Sequence, residues 1–170
     1  MVKLNKHIIL VLIILIFSLL SCINPFAPKI DNSLGSESSL ISDQKSIQGV
    51  FDNFQYAYTF KDTTIYGKLL SSDFTFVYRD YTNEIDVAWG RDEEMKVTNG
   101  LFNNSERIDL IWNNIISITN DSSNIVRSFN LTVTFNPTDI IFVDGRVNLN
   151  LKKNAENKWQ IVNWIDESNF

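Results

Sequence analysis

Cysteine and histidine are almost absent from this sequence. The 170 residues contain one of each, Cys22 and His7, and both lie near the amino terminus. A single thiol cannot form a disulfide within the chain, so the fold has to rely on its apolar core. Beyond Cys22 neither residue type occurs, which excludes histidine-based triads, thiol nucleophiles and the usual zinc ligand sets there. We therefore predict no metal site and no cofactor.

Clusters of basic residues are also missing. The chain has 15 Lys and Arg residues against 20 Asp and Glu residues, and its net charge is −5 at pH 7. No basic run is longer than Lys152-Lys153. A surface that binds nucleic acid needs a basic patch or stripe, so the sequence predicts no nucleic-acid partner.

One long apolar run is present, from Ile8 to Leu20, and it contains a single serine. Lys3 and Lys6 precede it. A positive segment followed by a short apolar segment is typical of a secretory signal, and this run is too short to span a bilayer as a helix. We predict that residues 1–21 form a signal peptide.

The run ends in Leu19-Leu20-Ser21-Cys22. This segment resembles the lipobox of bacterial lipoproteins, in which an aliphatic residue, a tolerant position and a small residue precede the cysteine. The resemblance implies that the signal is cleaved and that Cys22 is the lipid attachment site. Its thiol would take a diacylglycerol and its amino group a fatty acid such as palmitate, and several acyl chains anchor a protein stably. The alternatives are a secretory signal with a chance cysteine, or an uncleaved membrane anchor.

The residue after the cysteine bears on which membrane holds the protein. Ile23 stands where an Asp would resemble an inner-membrane retention signal, and this favours the outer membrane. The expected location is the cell envelope, with the chain facing the periplasm or the exterior. Residues 22–42, rich in Ser, Asn and Pro, are predicted to be the lipidated cysteine and a flexible tether. Residues 43–170 are long enough for one folded domain with its own core.

The apolar pattern of this domain predicts two helices, two strands, a third helix and then four strands. A helical stripe extends to about residue 61, capped by Ser42 or Asp43; a second helix follows Asp62 and a third follows Gly90. Alternating patterns predict strands with one face packed in the core and the other exposed to solvent. On those strands we expect Ile116, Ile118 and Ile165 on the packed faces and a bulge at Asp144-Gly145. The stripe consists of Ile47, Val50, Phe51, Phe54 and Tyr58, and the strands are predicted near residues 74–79, 85–89, 106–118, 125–135, 140–151 and 159–165.

The order of these elements resembles the nuclear transport factor 2-like, or SnoaL-like, cone over residues 42–170. The aromatic first helix, the segment 69–76, Trp89, and the closing Trp159-x-Ile161-x-x-Trp164-x-Asp166 carry the resemblance. It implies an α+β fold in which a curved antiparallel sheet wraps around the amino-terminal helices and leaves a pocket. Some members of this family are isomerases, dehydratases or cyclases with an Asp or His base, and others are binding or assembly modules.

Polar residues that interrupt the packed faces are candidate pocket residues, because burying them without a partner is costly. With two aromatic residues they would bind a small apolar or anionic ligand. Alternatively, the Arg reaches out to solvent and the two Asn residues mark bulges. The candidate ligand-binding residues are Tyr58, Trp112, Asn114, Arg127 and Asn163.

No catalytic residue is predicted, although an Asp could act as a base in a pocket. Each candidate Asp has an ordinary alternative role as a helix cap, turn residue or surface acid, and Glu93-Glu94 is expected at the surface. We expect a non-catalytic binding or assembly module; the alternatives are an isomerase- or dehydratase-like pocket enzyme and a structural spacer. The resemblance also implies a possible homodimer through the outer face of the sheet, with Ser128, Asn130, Thr132 and Thr134 outward. The candidate bases are Asp62, Asp73, Asp80, Asp92 and Asp166.

Overall fold

The computed structural model describes residues 40–167, in which three helices and six strands alternate in the order expected. The predicted signal peptide, the lipid attachment site at Cys22 and most of the tether lie outside these residues. No helix in the described range is long and apolar enough to cross a membrane. The elements are α1 (Ile47–Thr59), α2 (Thr63–Leu69), β1 (Leu70–Asp80), β2 (Ile85–Gly90), α3 (Arg91–Asn104), β3 (Arg107–Ile118), β4 (Asn124–Asn136), β5 (Asp139–Lys153) and β6 (Trp159–Asp166).

Local capping explains where the first two helices begin. The Ser46 side chain accepts a hydrogen bond from the backbone N–H of Gly49 at 3.0 Å, so the predicted caps Ser42 and Asp43 are wrong. Asp62 caps α2 as predicted, because its Oδ1 accepts from the backbone N–H groups of the third and second residues after it. Each cap satisfies backbone donors that have no partner inside the helix.

The six strands form one mixed sheet in the order β2-β1-β6-β5-β4-β3. The pairs β1–β2, β3–β4, β4–β5 and β5–β6 are antiparallel, as expected. The β1–β6 pair is parallel, which strand alternation alone does not show. The helices pack against one face of the sheet through the apolar stripe of α1, and the predicted α+β cone is confirmed.

Register shifts in two strands change which side chains face the core. Between Trp112 and Ile115, β3 has one more residue than its partner β4, and a second extra residue follows. Side chains alternate along a strand, so an extra residue moves the following ones to the other face. Ile116 follows the first extra residue and is 53% exposed, so its predicted burial is wrong. The second extra residue restores the phase, and Ile118 pairs with the buried Ile125. Ile118 is nevertheless 47% exposed as the last residue of the edge strand β3, so its predicted burial is also wrong.

The same effect occurs in β6. Ile161 pairs with Leu151, whereas Asn163 pairs with Asn150, so Val162 is the extra residue. Trp164 is buried as a result, and Ile165, which we expected in the core, is 37% exposed.

The β5 strand is continuous through Gly145, which pairs with Phe129 without a register shift. The strand predicted over residues 140–151 is therefore continuous, and the bulge predicted at Asp144-Gly145 is wrong.

A cluster of aromatic rings forms the part of the core around α1. Phe54, 1% exposed, lies at its centre, with its ring centroid 5.3 Å from that of Trp112 and 5.5 Å from that of Trp164. Tyr58 and Tyr66 pack against the same ring, at 4.9 and 5.4 Å. Most of these contacts are edge to face, which suits the quadrupoles of the rings. A cavity lies beside these rings.

Candidate functional site

A cavity of about 250 Å³ lies between α1, α3 and the concave face of the sheet. Aromatic and aliphatic side chains form almost all of its wall, and the polar groups are confined to a few residues. The aromatic lining residues are Phe54, Tyr58, Phe76, Trp89, Trp112, Phe129 and Trp164. The aliphatic ones are Val97, Leu101, Leu110, Leu131, Val143 and Val147, and the remaining ones are Glu94, Thr98 and Asp166.

Glu94 is the most deeply buried charged side chain of this wall, with 4% of its surface exposed. Its Oε1 accepts hydrogen bonds from the Tyr66 hydroxyl at 2.6 Å and from the Thr98 hydroxyl at 3.1 Å. Its Oε2 accepts from the indole N–H of Trp89 at 2.7 Å. Burial of a carboxylate is costly unless it is hydrogen-bonded, and these three donors provide that compensation.

Two buried tyrosines surround this carboxylate. Burial, and then the negative charge of Glu94, raise the pKa of Tyr58. Burial, then Tyr58 and Glu94, raise the pKa of Tyr66 well above its ordinary value. Both hydroxyls therefore keep their protons at neutral pH, and that of Tyr66 is donated to Glu94.

The second acid of the wall is Asp166, near the end of β6. It is partly exposed, and its charge contributes to the raised pKa of Tyr58. Trp164, two residues earlier on the strand, lines the same cavity, and its buried Nε1 has no hydrogen-bond partner within residues 40–167.

The structure places Tyr58 and Trp112, but not the other three candidate ligand-binding residues, in the cavity wall. Trp112 is held in place by its Nε1, which donates to the backbone oxygen of Phe51 at 3.0 Å. The Arg127 guanidinium lies 4.6 Å from the ring centre of Phe51, and its Nε donates to the backbone oxygen of Asn113 at 2.9 Å. Arg127 is therefore outside the cavity wall.

The two predicted asparagines lie at register shifts. Asn114 is exposed and lies in the irregular part of β3, where its backbone oxygen accepts from the Ser128 hydroxyl. Asn163 follows the extra residue of β6, and its side chain bonds to the backbone oxygen of Thr75 and to Asn150. Both asparagines therefore mark strand irregularities, as the alternative to a role in the pocket predicts.

Of the five candidate Asp bases, only Asp166 lines the cavity. Asp62 caps α2, and Asp80 accepts from the backbone N–H groups of a turn. Asp73 is exposed and forms an ion pair with Lys152, whose hydrogen bond lowers the pKa of Asp73 to about 2. Asp92 is an exposed acid in the first turn of α3.

Glu94 was missed because the sequence pattern placed it with Glu93 at the surface. The feature that identifies it is its spacing along the helix, which places it on the same face as the core residue of α3. Glu94 and Thr98 precede Phe102 by two turns and one turn, and all three are buried on the same face of α3. Trp89 then adds a partly buried donor five residues before Glu94.

Comparison with known proteins supports the fold and goes no further. No protein-family model matches the chain, and no curated protein matches it. Solved structures do match. A candidate scytalone dehydratase from Novosphingobium aromaticivorans is 12% identical with a TM-score of 0.63, over 74% of this chain and 83% of that protein. A candidate aromatic ring hydroxylase from the same organism is 12% identical with a TM-score of 0.60, over 74% and 87%.

A third solved structure, an NTF2-like protein of unknown function from Exiguobacterium sp. 255-15, is 15% identical with a TM-score of 0.51, over 71% of this chain and 98% of that protein. At such low identities the likeness concerns the fold alone. The described domain thus has the NTF2-like fold that its sequence resembles.

Replacing Glu94 should destabilise the domain much more than replacing its neighbour. Glu94→Ala leaves the buried hydroxyl of Tyr66 and the partly buried indole N–H of Trp89 without an acceptor, and we expect a loss of about 2–4 kcal/mol in the free energy of unfolding. Glu93→Ala removes only an exposed ion pair with Lys96, and we expect a change within about 0.5 kcal/mol. Urea unfolding of both variants measures the difference, and equal losses would contradict the assigned role of Glu94.

Proposed function

We propose that this domain is a non-catalytic binding module that takes a small, largely apolar organic molecule into the cavity of the cone. The observation that carries the proposal is the composition of the cavity wall, in which seven aromatic rings and six aliphatic side chains surround about 250 Å³. Ligand sites are typically concave and apolar, with a few placed polar groups. A structural spacer would need no such space beside its core.

The hydrogen bonding of the polar wall residues supports binding over chemistry. Both oxygens of Glu94 already accept hydrogen bonds from the protein, so this carboxylate is held in place and poorly suited to accept a substrate proton.

A pocket enzyme of isomerase or dehydratase type is the second candidate, and one observation favours it. Asp166 lies in the same wall as Tyr58, an arrangement in which a carboxylate base could act beside a protonated hydroxyl that stabilises an oxyanion. The similar structure described as a candidate scytalone dehydratase belongs to the same reaction class. In that case a molecule bound in the cavity would be converted, and Asp166→Asn would abolish the conversion while leaving binding intact.

The four tryptophans provide a sharp test of binding. Trp89, Trp112 and Trp164 line the cavity, whereas Trp159 does not and lies beside Lys153. Titration of the ¹⁵N-labelled protein with 3,3-dimethylbutan-1-ol should shift the indole N–H signals of the three lining residues and leave that of Trp159 in place. Val143→Phe should abolish these shifts, since its larger ring enters the same space.

Two results would contradict this proposal. Uniform shifts of all four indole signals would indicate non-specific association. Unchanged titration of Val143→Phe would place the alcohol outside the cavity.

We also propose that the domain is tethered to the outer membrane through a lipid on Cys22. The Leu19-Leu20-Ser21-Cys22 segment supports this, and the net negative charge with no basic patch gives the domain no electrostatic attraction to anionic lipid headgroups. Covalent anchoring would therefore have to supply the membrane attachment.

Lipidation of Cys22 predicts the mass of the mature chain and its release from the membrane when Cys22 is replaced. Native mass spectrometry of protein extracted in mild detergent should show an acylated chain that begins at Cys22. Cys22→Ser should abolish acylation and release the chain from the membrane fraction, while a substitution at the neighbouring Ile23 should do neither. An intact signal peptide on the membrane-bound wild-type protein would contradict the proposal.

The outer face of the sheet supports a further proposal, that two copies of the domain associate. Thr132 pairs with Phe142 and Thr134 pairs with Ile140, so these four side chains share a face. Phe142 is 73% exposed and Ile140 is 42% exposed. Exposed apolar side chains grouped on one face of a sheet are typical of protein interfaces.

The expected result is a dimer that depends on this face. Sedimentation analysis of wild-type protein in mild detergent should give twice the chain mass, and Phe142→Asp should give a monomer because it places a charge in the contact. Phe60→Asp, which charges a similarly exposed aromatic residue at the end of α1, is the matched control and should leave the dimer unchanged. A wild-type monomer would rule the dimer out.

A further inference from the structure

The charged residues of the cavity wall are both acidic. Glu94 and Asp166 belong to the wall, and no Lys, Arg or His side chain does. The expectation of an anionic ligand depended on Arg127, which lies over Phe51 outside the wall. An anion in the cavity would be repelled by two carboxylates and would find no basic partner there.

The negative charge of Glu94 has only neutral partners. Its three donors are two hydroxyls and an indole N–H. Among residues 40–167, none of the ion pairs includes Glu94. Hydrogen bonds offset part of the cost of burying a carboxylate, and a positive charge nearby would offset more of it. A cation in the cavity would supply that charge.

Aromatic rings in the same wall suit a cation. The rings of Phe76 and Trp89 are stacked with their centroids 4.6 Å apart, and Trp164 meets Phe76 edge-on at 5.1 Å. The faces of such rings are electron-rich and attract alkylammonium groups, most strongly in tryptophan. Metal ions are less suited to this wall, because Ca²⁺ needs six to eight oxygen ligands and most of the wall is apolar.

We infer that the ligand of this cavity is a small organic cation, with an apolar body against the aromatic wall and an alkylammonium group near Glu94 and Asp166. This inference rests on the proposed binding function and names its ligand class. The aromatic rings desolvate the alkyl groups around the nitrogen, and the two carboxylates provide the counter-charge.

Three probes of nearly equal shape separate charge from size. Choline carries a trimethylammonium group, 3,3-dimethylbutan-1-ol replaces it with an uncharged tert-butyl group, and 3,3-dimethylbutanoate carries a negative charge on the other end. Calorimetric titration of the full-length protein in a non-ionic detergent should give the tightest binding for choline. We expect an advantage of about tenfold or more over the alcohol, and the weakest binding for the anion.

Matched variants locate the charge effect. Asp166→Asn should reduce the affinity for choline by about fivefold or more relative to the affinity for the alcohol, because the substitution removes a charge and changes the side-chain shape little. Asp73→Asn removes the same charge from an exposed site outside the cavity wall and should alter neither affinity. A variant that merely loosens the fold would weaken both probes together.

The outcomes distinguish the two proposals. If the alcohol binds as tightly as choline, or if Asp166→Asn and Asp73→Asn behave alike, the cationic ligand class is wrong and the binding function stands. If none of the three probes binds, both the ligand class and the proposed binding function are contradicted.

Discussion

The buried carboxylate of Glu94 is the interaction on which the geometry of the cavity depends. It accepts hydrogen bonds from Tyr66 in α2, from Trp89 in β2 and from Thr98 in its own helix. One side chain thereby joins two helices to the edge of the sheet, and it fixes the ring of Trp89 as a wall of the cavity. A buried acid is a costly device for holding elements together, since apolar side chains do so without desolvating a charge. Its presence beside an apolar cavity is better explained if the charge also acts on what enters that cavity.

The apolar wall and its two acids favour recognition over reaction. The carboxylate that is most deeply buried is already saturated with donors, and the other one, Asp166, lies at the end of a strand with part of its surface exposed. An NTF2-like fold hosts both binding modules and enzymes, so the fold alone does not decide between them. The placement of the polar atoms supports the proposed binding function, because it offers a ligand negative charge within an aromatic enclosure.

The sequence predicted the elements well and the site only in part. Hydrophobic periodicity is a local property, and it located α1 and all six strands to within a few residues. Which face a side chain takes beyond an irregularity depends on the partner strand, so Ile116 and Ile165 were assigned to the wrong face. Tyr58 and Trp112 were found because aromatic residues in phase with a core stripe tend to line the interior. Glu94 was not, because an acid in the first turn of a helix is ordinarily solvated, and only its three tertiary donors distinguish it from Glu93.

The central claim is that a small organic cation enters the aromatic cavity, and a crystal structure of the protein grown with choline tests it most directly. The account predicts density for the trimethylammonium group against the rings of Trp89 and Trp164, with the nitrogen nearer to the carboxylates of Glu94 and Asp166 than to any basic side chain. A cavity that contains no choline at saturating concentration, or choline bound only on the outer face of the sheet, would contradict it.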